Sequence, residues 1–158
     1  MRRVDGGATV YLPDRRIPPL HPEVLSEGVA SLLPGQAAPA FVWTLELDGR
    51  GEVTDVALDR ALVRSQEKLD YEGVQIDLDA GRGGHPQMLL LQEIGGLRTV
   101  LEAERGGASL SIPEQEVEAD GDRVRLSWRR PAPPIEDANA QISLMTGMAA
   151  AGLMVEHG

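Results

Sequence analysis

The chain has 158 residues, enough to bury a hydrophobic core of its own within one domain. Its 15 Lys/Arg residues are outnumbered by 25 Asp/Glu residues, so the net charge is −10 and the pI is near 4.7. This balance counts against a stand-alone nucleic-acid-binding protein, which usually has a strongly basic surface. The chain contains no cysteine, which excludes disulfides, thiolate metal ligands and a cysteine nucleophile.

The sequence shows neither a secretory signal nor an obvious membrane span. The first ten residues include two arginines but no apolar stretch. The longest apolar run, Ile142–Val155, is interrupted by polar residues and glycines, and we predict that it is too short to cross a bilayer. We therefore expect a cytoplasmic protein without a membrane partner.

Residues 1–39 are rich in proline, yet they also carry many aliphatic side chains. A solvated tail would not hold so many apolar residues, so we predict an ordered segment with a short helix around Glu23–Val29. Every second residue from position 41 to 47 is a large apolar one, which predicts a strand that buries this face. These residues are Phe41, Trp43, Leu45 and Leu47, and they alternate with Val42, Thr44, Glu46 and Asp48. The turn sequence Asp48–Gly51 and the segment Glu52–Leu62 complete a first hairpin.

A second hairpin is predicted from Glu114–Ala119 and Asp122–Trp128 around the dipeptide Asp120-Gly121. This turn would place Val117 opposite Val124. It would also place acidic residues opposite arginines, namely Glu118 opposite Arg123 and Glu116 opposite Arg125.

Three longer helices are predicted, at Ser65–Asp79, Pro86–Arg105 and about Ile135–Val155. The second should bury one face, and Gly95-Gly96 in its middle weakens the helical preference. Small residues near Gly147 would suit close approach of the third helix to another element. The expected buried face of the second helix consists of Leu90, Ile94, Leu97 and Leu101.

The predicted fold class is thus α/β (α+β), with antiparallel hairpins packed against helices. We divide it into an ordered segment (1–39), strands and helices (40–130) and a final helix (131–158).

Seven stretches of the chain have distinctive sequences, among them a tyrosine-leucine-proline motif in the first. They are Ala8–Leu20 (ATVYLPDRRIPPL), Pro22–Ser26, Ala30–Gly35, Leu45–Asp48, Gly51–Val56, Val63–Glu72 (VRSQEKLDYE) and Asn139–Ala151. These stretches resemble the catalytic RNB domain of the ribonuclease II/ribonuclease R family. The similarity is specific over residues 8–75 and moderate over 135–155, where it resembles the actinobacterial branch.

The resemblance implies a processive, Mg²⁺-dependent 3′→5′ exoribonuclease that acts on single-stranded RNA. It also implies four active-site aspartates upstream of the tyrosine-leucine-proline stretch and an arginine motif downstream of the last helix. We therefore expect this chain to be the central part of an RNB domain, with no catalytic or metal-binding residue of its own and no activity by itself. The apolar faces of the Phe41–Leu47 strand and of the last helix would then lack their neighbours and should promote self-association.

The resemblance points to five RNA-binding residues. Tyr11 matches the family tyrosine that stacks near the 3′-terminal nucleotide, and Tyr71 matches a channel tyrosine whose hydroxyl can recognise a 2′-OH. Arg64 and Lys68, four residues apart, would contact phosphates if they share one face. Where other members carry a pair of glutamates near the channel, this chain has Ala140 and Gln141, and Gln141 can still donate a hydrogen bond.

Each of these residues also has an ordinary structural interpretation. Tyr11 would be half-buried beside its neighbours, Tyr71 would pack on a hairpin, and Arg64 and Lys68 would belong to a solvated charged surface. Asp77 and Asp79 are too few to make a magnesium site. The three histidines have no partner at metal or triad spacing, and Arg129 and Arg130 remain minor phosphate candidates.

Three functional hypotheses follow. In the first, the chain is a segment of an exoribonuclease and supplies the wall of its RNA channel. In the second, it is a non-catalytic RNA-binding or interaction module derived from the same fold. In the third, it is a fragment without function. Upstream DNA that encodes clustered aspartates would favour the first.

Overall fold

The structure is a computed structural model that describes residues 8–12, 16–82, 86–107, 115–120, 123–128 and 131–158. Its strands are β1 (Ala37–Leu47), β2 (Val53–Arg64), β3 (Gln115–Asp120) and β4 (Arg123–Trp128), and its α-helices are α1 (Tyr71–Asp79), α2 (Pro86–Glu104) and α3 (Pro134–His157). β1 pairs with β2 and β3 with β4 in two separate sheets. This mixture of helices and hairpins confirms the α+β class.

The chain divides into two compact units that are each discontinuous in sequence. The first unit comprises Met1–Thr44 and Ala57–Lys68, and the second comprises Leu45–Val56 and Leu69–Gly158. The β1–β2 hairpin therefore contributes its base to the first unit and its tip to the second.

In the first unit, the chain around Tyr11 is held by main-chain hydrogen bonds. The amide of Val10 donates to the carbonyl oxygen of Pro18 (3.1 Å), and the amide of Leu12 donates to that of Arg16 (3.0 Å). Farther along, Val24–Val29 forms the predicted short helix. It is a π-helix, with Gly28 outside helical backbone angles (φ −110°, ψ −113°).

The tip of the β1–β2 hairpin is a tight turn fixed by Asp48. Its Oδ1 accepts the amide hydrogens of Arg50 and Glu52, both at 2.9 Å. These bonds, led by the one from Glu52, favour the charged carboxylate and hold the pKa of Asp48 below its ordinary value. Gly51 takes φ +84°, a left-handed conformation that glycine adopts without strain. The predicted turn is therefore confirmed.

The predicted register of the β3–β4 hairpin is wrong by two residues. Val117 pairs with Leu126, and Asp120 pairs with Arg123. A shift of two keeps every residue on its predicted face, so the hydrophobic pattern alone could not distinguish the two registers. The predicted turn residue Gly121 lies outside the described residues.

Helix α1 begins at Tyr71, six residues later than the predicted start at Ser65. Asp70 has extended backbone angles, and its Oδ1 accepts the amide hydrogen of Gly73 at 2.8 Å, which caps the helix. Residues 66–70 have no regular structure. Arg64, at the end of β2, and Lys68, in this irregular segment, thus do not share a helix, and their phosphate contacts stay a prediction.

The core of the second unit lies where α3 packs against α1 and α2. A Cβ atom added to Gly95 would lie 2.5 Å from the Cα and Cβ of Ala138, so the two helices approach closely at this point. The predicted close approach at Gly147 is not observed, because nothing lies within 4 Å of a Cβ there. The core cluster consists of Val74, Ile135 and Ala138, with Leu78, Met88 and Leu91 packed against it.

The predicted buried face of α2 is partly wrong. Leu101 is buried, but Leu90 is exposed, and Gly95 and Arg98 are buried instead. Helix α2 therefore packs against α3 with the face that contains Gly95, because only a residue without a side chain allows so close a contact.

Helix α3 has 24 residues, longer than the apolar run that the sequence suggested. By length and composition alone it could cross a membrane, although buried helices of soluble proteins meet the same criterion. Its first half packs into the core of the second unit, where its buried residues are Ile135, Ala138, Gln141 and Met145.

Candidate nucleic-acid interface

The first unit presents the aromatic ring of Tyr11 to solvent. The side chain is 76% exposed, although the backbone on both sides of it is hydrogen-bonded. A fixed backbone with an exposed ring is the arrangement that base stacking requires, because little ordering remains to be done on binding. The half-buried packing considered as the alternative for Tyr11 is not observed.

Arg64 and Lys68 are also in the first unit, at and beyond the end of β2. The strand end is held in place because the Ser65 carbonyl oxygen accepts the amide hydrogen of Gly35 at 2.8 Å. Both basic side chains are exposed, and neither forms an ion pair with any residue that the structure describes. Their charges are therefore available to an anionic ligand.

Charge is unevenly distributed between the two units. Among the described residues, the second unit has 17 Asp/Glu and 6 Lys/Arg residues, a balance of −11. The first unit has four of each, so its charges cancel. Electrostatic repulsion of a polyanion therefore comes mainly from the second unit. The charged residues of the first unit are Arg16, Arg60, Arg64 and Lys68 against Glu23, Glu27, Asp59 and Glu67.

Tyr71 belongs to the second unit, at the first turn of α1. Its hydroxyl oxygen accepts a hydrogen bond from Asn139 Nδ2 at 2.9 Å, which leaves the hydroxyl hydrogen able to donate. The cleft beside it is predominantly acidic, which disfavours a phosphate close to the ring. The charged residues of this cleft are Asp70, Glu72, Glu116, Glu136 and Arg125.

Gln141 is buried between α2 and α3. Its Nε2 donates to Glu102 Oε2 at 2.6 Å, so the amide serves the packing of the two helices. An RNA contact through Gln141 stays a prediction. Its burial could have been anticipated, because Gln141 falls at the helical spacing of Ile135, Ala138 and Met145.

The carboxylates that the sequence singled out have partners inside the protein. Asp77 Oδ1 lies 2.8 Å from Arg82 Nε, and Asp79 Oδ1 accepts a hydrogen bond from Gln75 at 2.9 Å. Within the described ranges, no group of three or more His, Asp or Glu residues could hold a metal ion. The described carboxylates thus do not fit a magnesium site. His85, Arg129 and Arg130 lie outside the described residues.

One aromatic residue is placed differently from the prediction. Phe41 was assigned to the buried face of a strand, but it is 64% exposed. The guanidinium carbon of Arg60 lies 5.8 Å from the centre of its ring, within cation–π distance. No sequence pattern indicates this pair, because the two residues are far apart in the chain and meet only in the folded structure.

Comparison with known proteins identifies the family of this chain. The family model for the RNB domain matches residues 4–152. The chain belongs to the RNB domain family. Ribonuclease R of Escherichia coli is 34% identical over 115 residues, which are 68% of this chain and 14% of that protein. A protein of Caenorhabditis elegans named "Probable exosome complex exonuclease" is 34% identical over 119 residues, 73% of this chain and 12% of that protein.

Solved structures support the RNB fold. Ribonuclease R of Mycoplasma genitalium, in complex with ribose methylated single-stranded RNA, matches with a TM-score of 0.84 and 20% identity over 95% of this chain. That match covers 24% of the ribonuclease R chain. This RNB chain thus spans about an eighth of the length of the two curated relatives and a quarter of the solved one.

Proposed function

We propose that this chain is the part of a 3′→5′ exoribonuclease that contributes RNA-channel residues, and that it binds single-stranded RNA through its first unit. The observation that carries the proposal is the exposed ring of Tyr11 in the unit that also holds the unpaired cations Arg64 and Lys68. The ring offers a stacking surface and the cations offer phosphate contacts. The RNA complexes of ribonuclease R, which has the same fold, support RNA as the ligand.

We further propose that RNA binding by these residues does not depend on Mg²⁺, and that the metal-dependent cleavage step belongs to other parts of the enzyme. Hydrolysis of this type needs metal ions held by several carboxylates. Asp77 and Asp79 do not offer such a set, because each already has a partner in the second unit.

Binding of a fluorescein-labelled single-stranded RNA tests the proposal through its salt dependence. We expect the double variant Arg64→Gln/Lys68→Gln to bind more weakly than the wild type at every salt concentration. Each lost phosphate contact lowers the slope of log K against log salt by about 0.7 for single strands, so two contacts lower it by about 1.4. Fluorescence anisotropy titrations in Mg²⁺ and in EDTA measure both the affinity and its independence of metal.

The matched control removes two arginine charges from the acidic second unit. Arg50 and Arg82 each form an exposed ion pair, with Glu104 and Asp77 respectively. Arg50→Gln/Arg82→Gln changes the net charge by the same amount but should leave the salt slope unchanged. Equal losses in the two double variants would show that only net charge matters, and the proposed contacts would be wrong.

We also propose that the isolated chain self-associates through one face of the β3–β4 hairpin. The register places Val117 opposite Leu126. Val124 and Trp128 lie two positions before and two positions after Leu126, on the same face of the strand. These four side chains are between 63% and 71% exposed. An exposed apolar surface of this kind usually marks an interaction site.

Light scattering during gel filtration, over a range of protein concentrations, tests the self-association. We expect the wild type to form oligomers as the concentration rises, and Val124→Lys/Leu126→Lys to stay monomeric because charges replace the apolar surface. Gly96→Lys serves as the control, since Gly96 is exposed on α2 and has nothing within 4 Å of its Cβ position. A wild-type chain that is monomeric throughout would contradict the proposal.

A further inference from the structure

The base of the β1–β2 hairpin has two unlike faces. Along β1, Ala38 and Ala40 are less exposed than Phe41, and along β2, Ala61 and Val63 are less exposed than their neighbours. Because successive strand residues point to opposite faces, this alternation defines one sheltered face and one exposed face. The exposed face carries Phe41, Arg60, Leu62 and Arg64.

The exposed face contains cations and an aromatic ring but no described acidic side chain. Arg60 lies over the ring of Phe41 at 5.8 Å, and Arg64 follows at an interval of four on the same strand. Asp59, the acidic residue of this stretch of β2, is one position from Arg60 and therefore belongs to the opposite face. The two arginines thus keep their full attraction for a phosphate.

We propose that Phe41 and Arg60 form a second stacking site for single-stranded RNA, in addition to Tyr11. One base stacks on the exposed Phe41 ring or on the Arg60 guanidinium plane above it, and Arg64 contacts the adjoining phosphate. This inference rests on the proposed function and adds a subsite to it. The expected ligand is RNA of any sequence, because every base has a flat face that can stack.

The charge of the face favours RNA over a protein partner. A second copy of this chain, with a net charge of −10, is the other candidate occupant, and the oligomeric state of the variants tests it. The two arginines on this face match a ligand with regularly spaced negative charges, as RNA has. Among the described residues, the charges of the first unit cancel, so a polyanion meets less repulsion there than at the second unit.

Anisotropy titrations with single-stranded oligo(A) and oligo(U) test this site. Loss of one stacked base should weaken binding about 5- to 160-fold in Phe41→Ala. Phe41→Trp should restore the affinity because the indole also stacks. Arg60→Gln should weaken binding because the guanidinium plane beside the ring is lost. Arg64→Gln should lower the salt slope by about 0.7, because it removes the phosphate contact.

Leu62→Ala is the matched control, because Leu62 is 74% exposed on the same face but has no π system. We expect its RNA affinity to equal that of the wild type. Equal effects of Phe41→Ala and Leu62→Ala on RNA binding would overturn the stacking site. The same holds if both variants alter the oligomeric state and leave RNA affinity unchanged, which would identify a protein-docking surface.

The outcomes separate this inference from the proposed function. If the wild type binds RNA and loses affinity in Arg64→Gln/Lys68→Gln but not in Phe41→Ala, only the second stacking site is overturned. If the wild type binds no RNA under any salt condition, both proposals are overturned. Circular dichroism of each variant establishes that the fold is retained.

Discussion

Gly95→Ala is expected to destabilise the packing of α2 on α3, whereas Gly96→Ala should stabilise the same helix. The added methyl at position 95 would lie 2.5 Å from two atoms of Ala138, one of them in the backbone, so the helices must move apart. Overpacking of this kind costs about 1–3 kcal/mol. At position 96 the methyl meets nothing within 4 Å. The higher helical preference of alanine should then add about 0.5–1 kcal/mol to the free energy of unfolding.

Urea unfolding followed by circular dichroism at the helix band measures this difference, because all three α-helices belong to the second unit. The double variant Gly95→Ala/Ala138→Gly should recover only part of the lost stability, because it removes the contact with the Cβ of Ala138 and leaves the contact with its Cα. Equal stabilisation by the two single alanine substitutions would show that the helices do not meet at Gly95.

Arg98→Met is expected to lower the free energy of unfolding by about 2–4 kcal/mol, because it leaves a buried carbonyl without its donor. Arg98 is only 3% exposed, and its guanidinium donates to the carbonyl oxygen of Gly51 at 2.9 Å. The same group lies 3.6 Å from a carboxylate oxygen of Glu52. Arg98 therefore joins the middle of α2 to the tip of the β1–β2 hairpin. Methionine keeps the apolar stem, so the variant isolates the loss of the polar contacts.

Arg50→Met is the control for Arg98→Met. Arg50 bonds Glu104 at 3.1 Å, but the two side chains are 71% and 53% exposed, and an exposed pair contributes about 0–1 kcal/mol. Hydrogen exchange at the amide of Gly51 should accelerate in Arg98→Met and stay unchanged in Arg50→Met. Similar losses of stability in the two variants would contradict a special role for the buried arginine.

Much of the local structure followed from the sequence. Alternating apolar residues and the Asp48–Gly51 turn sequence predicted the first hairpin, and a proline in the first turn and a glycine after the last marked α2. These signals are local, because they depend on the backbone preferences of adjacent residues. The stretches similar to the RNB family were likewise sufficient to predict the family, which the family model then confirmed.

What only the tertiary structure decided was which surfaces meet. A helical pattern could not show that α2 presents Gly95 to Ala138, or that Arg98 and Gln141 are buried with polar partners. Nor could a turn dipeptide choose between two registers of the β3–β4 hairpin that keep the same faces. The separation of a neutral unit from an acidic one is also invisible in a summed charge of −10. Each of these depends on contacts between residues far apart in the chain, and their energies enter only when the elements pack together.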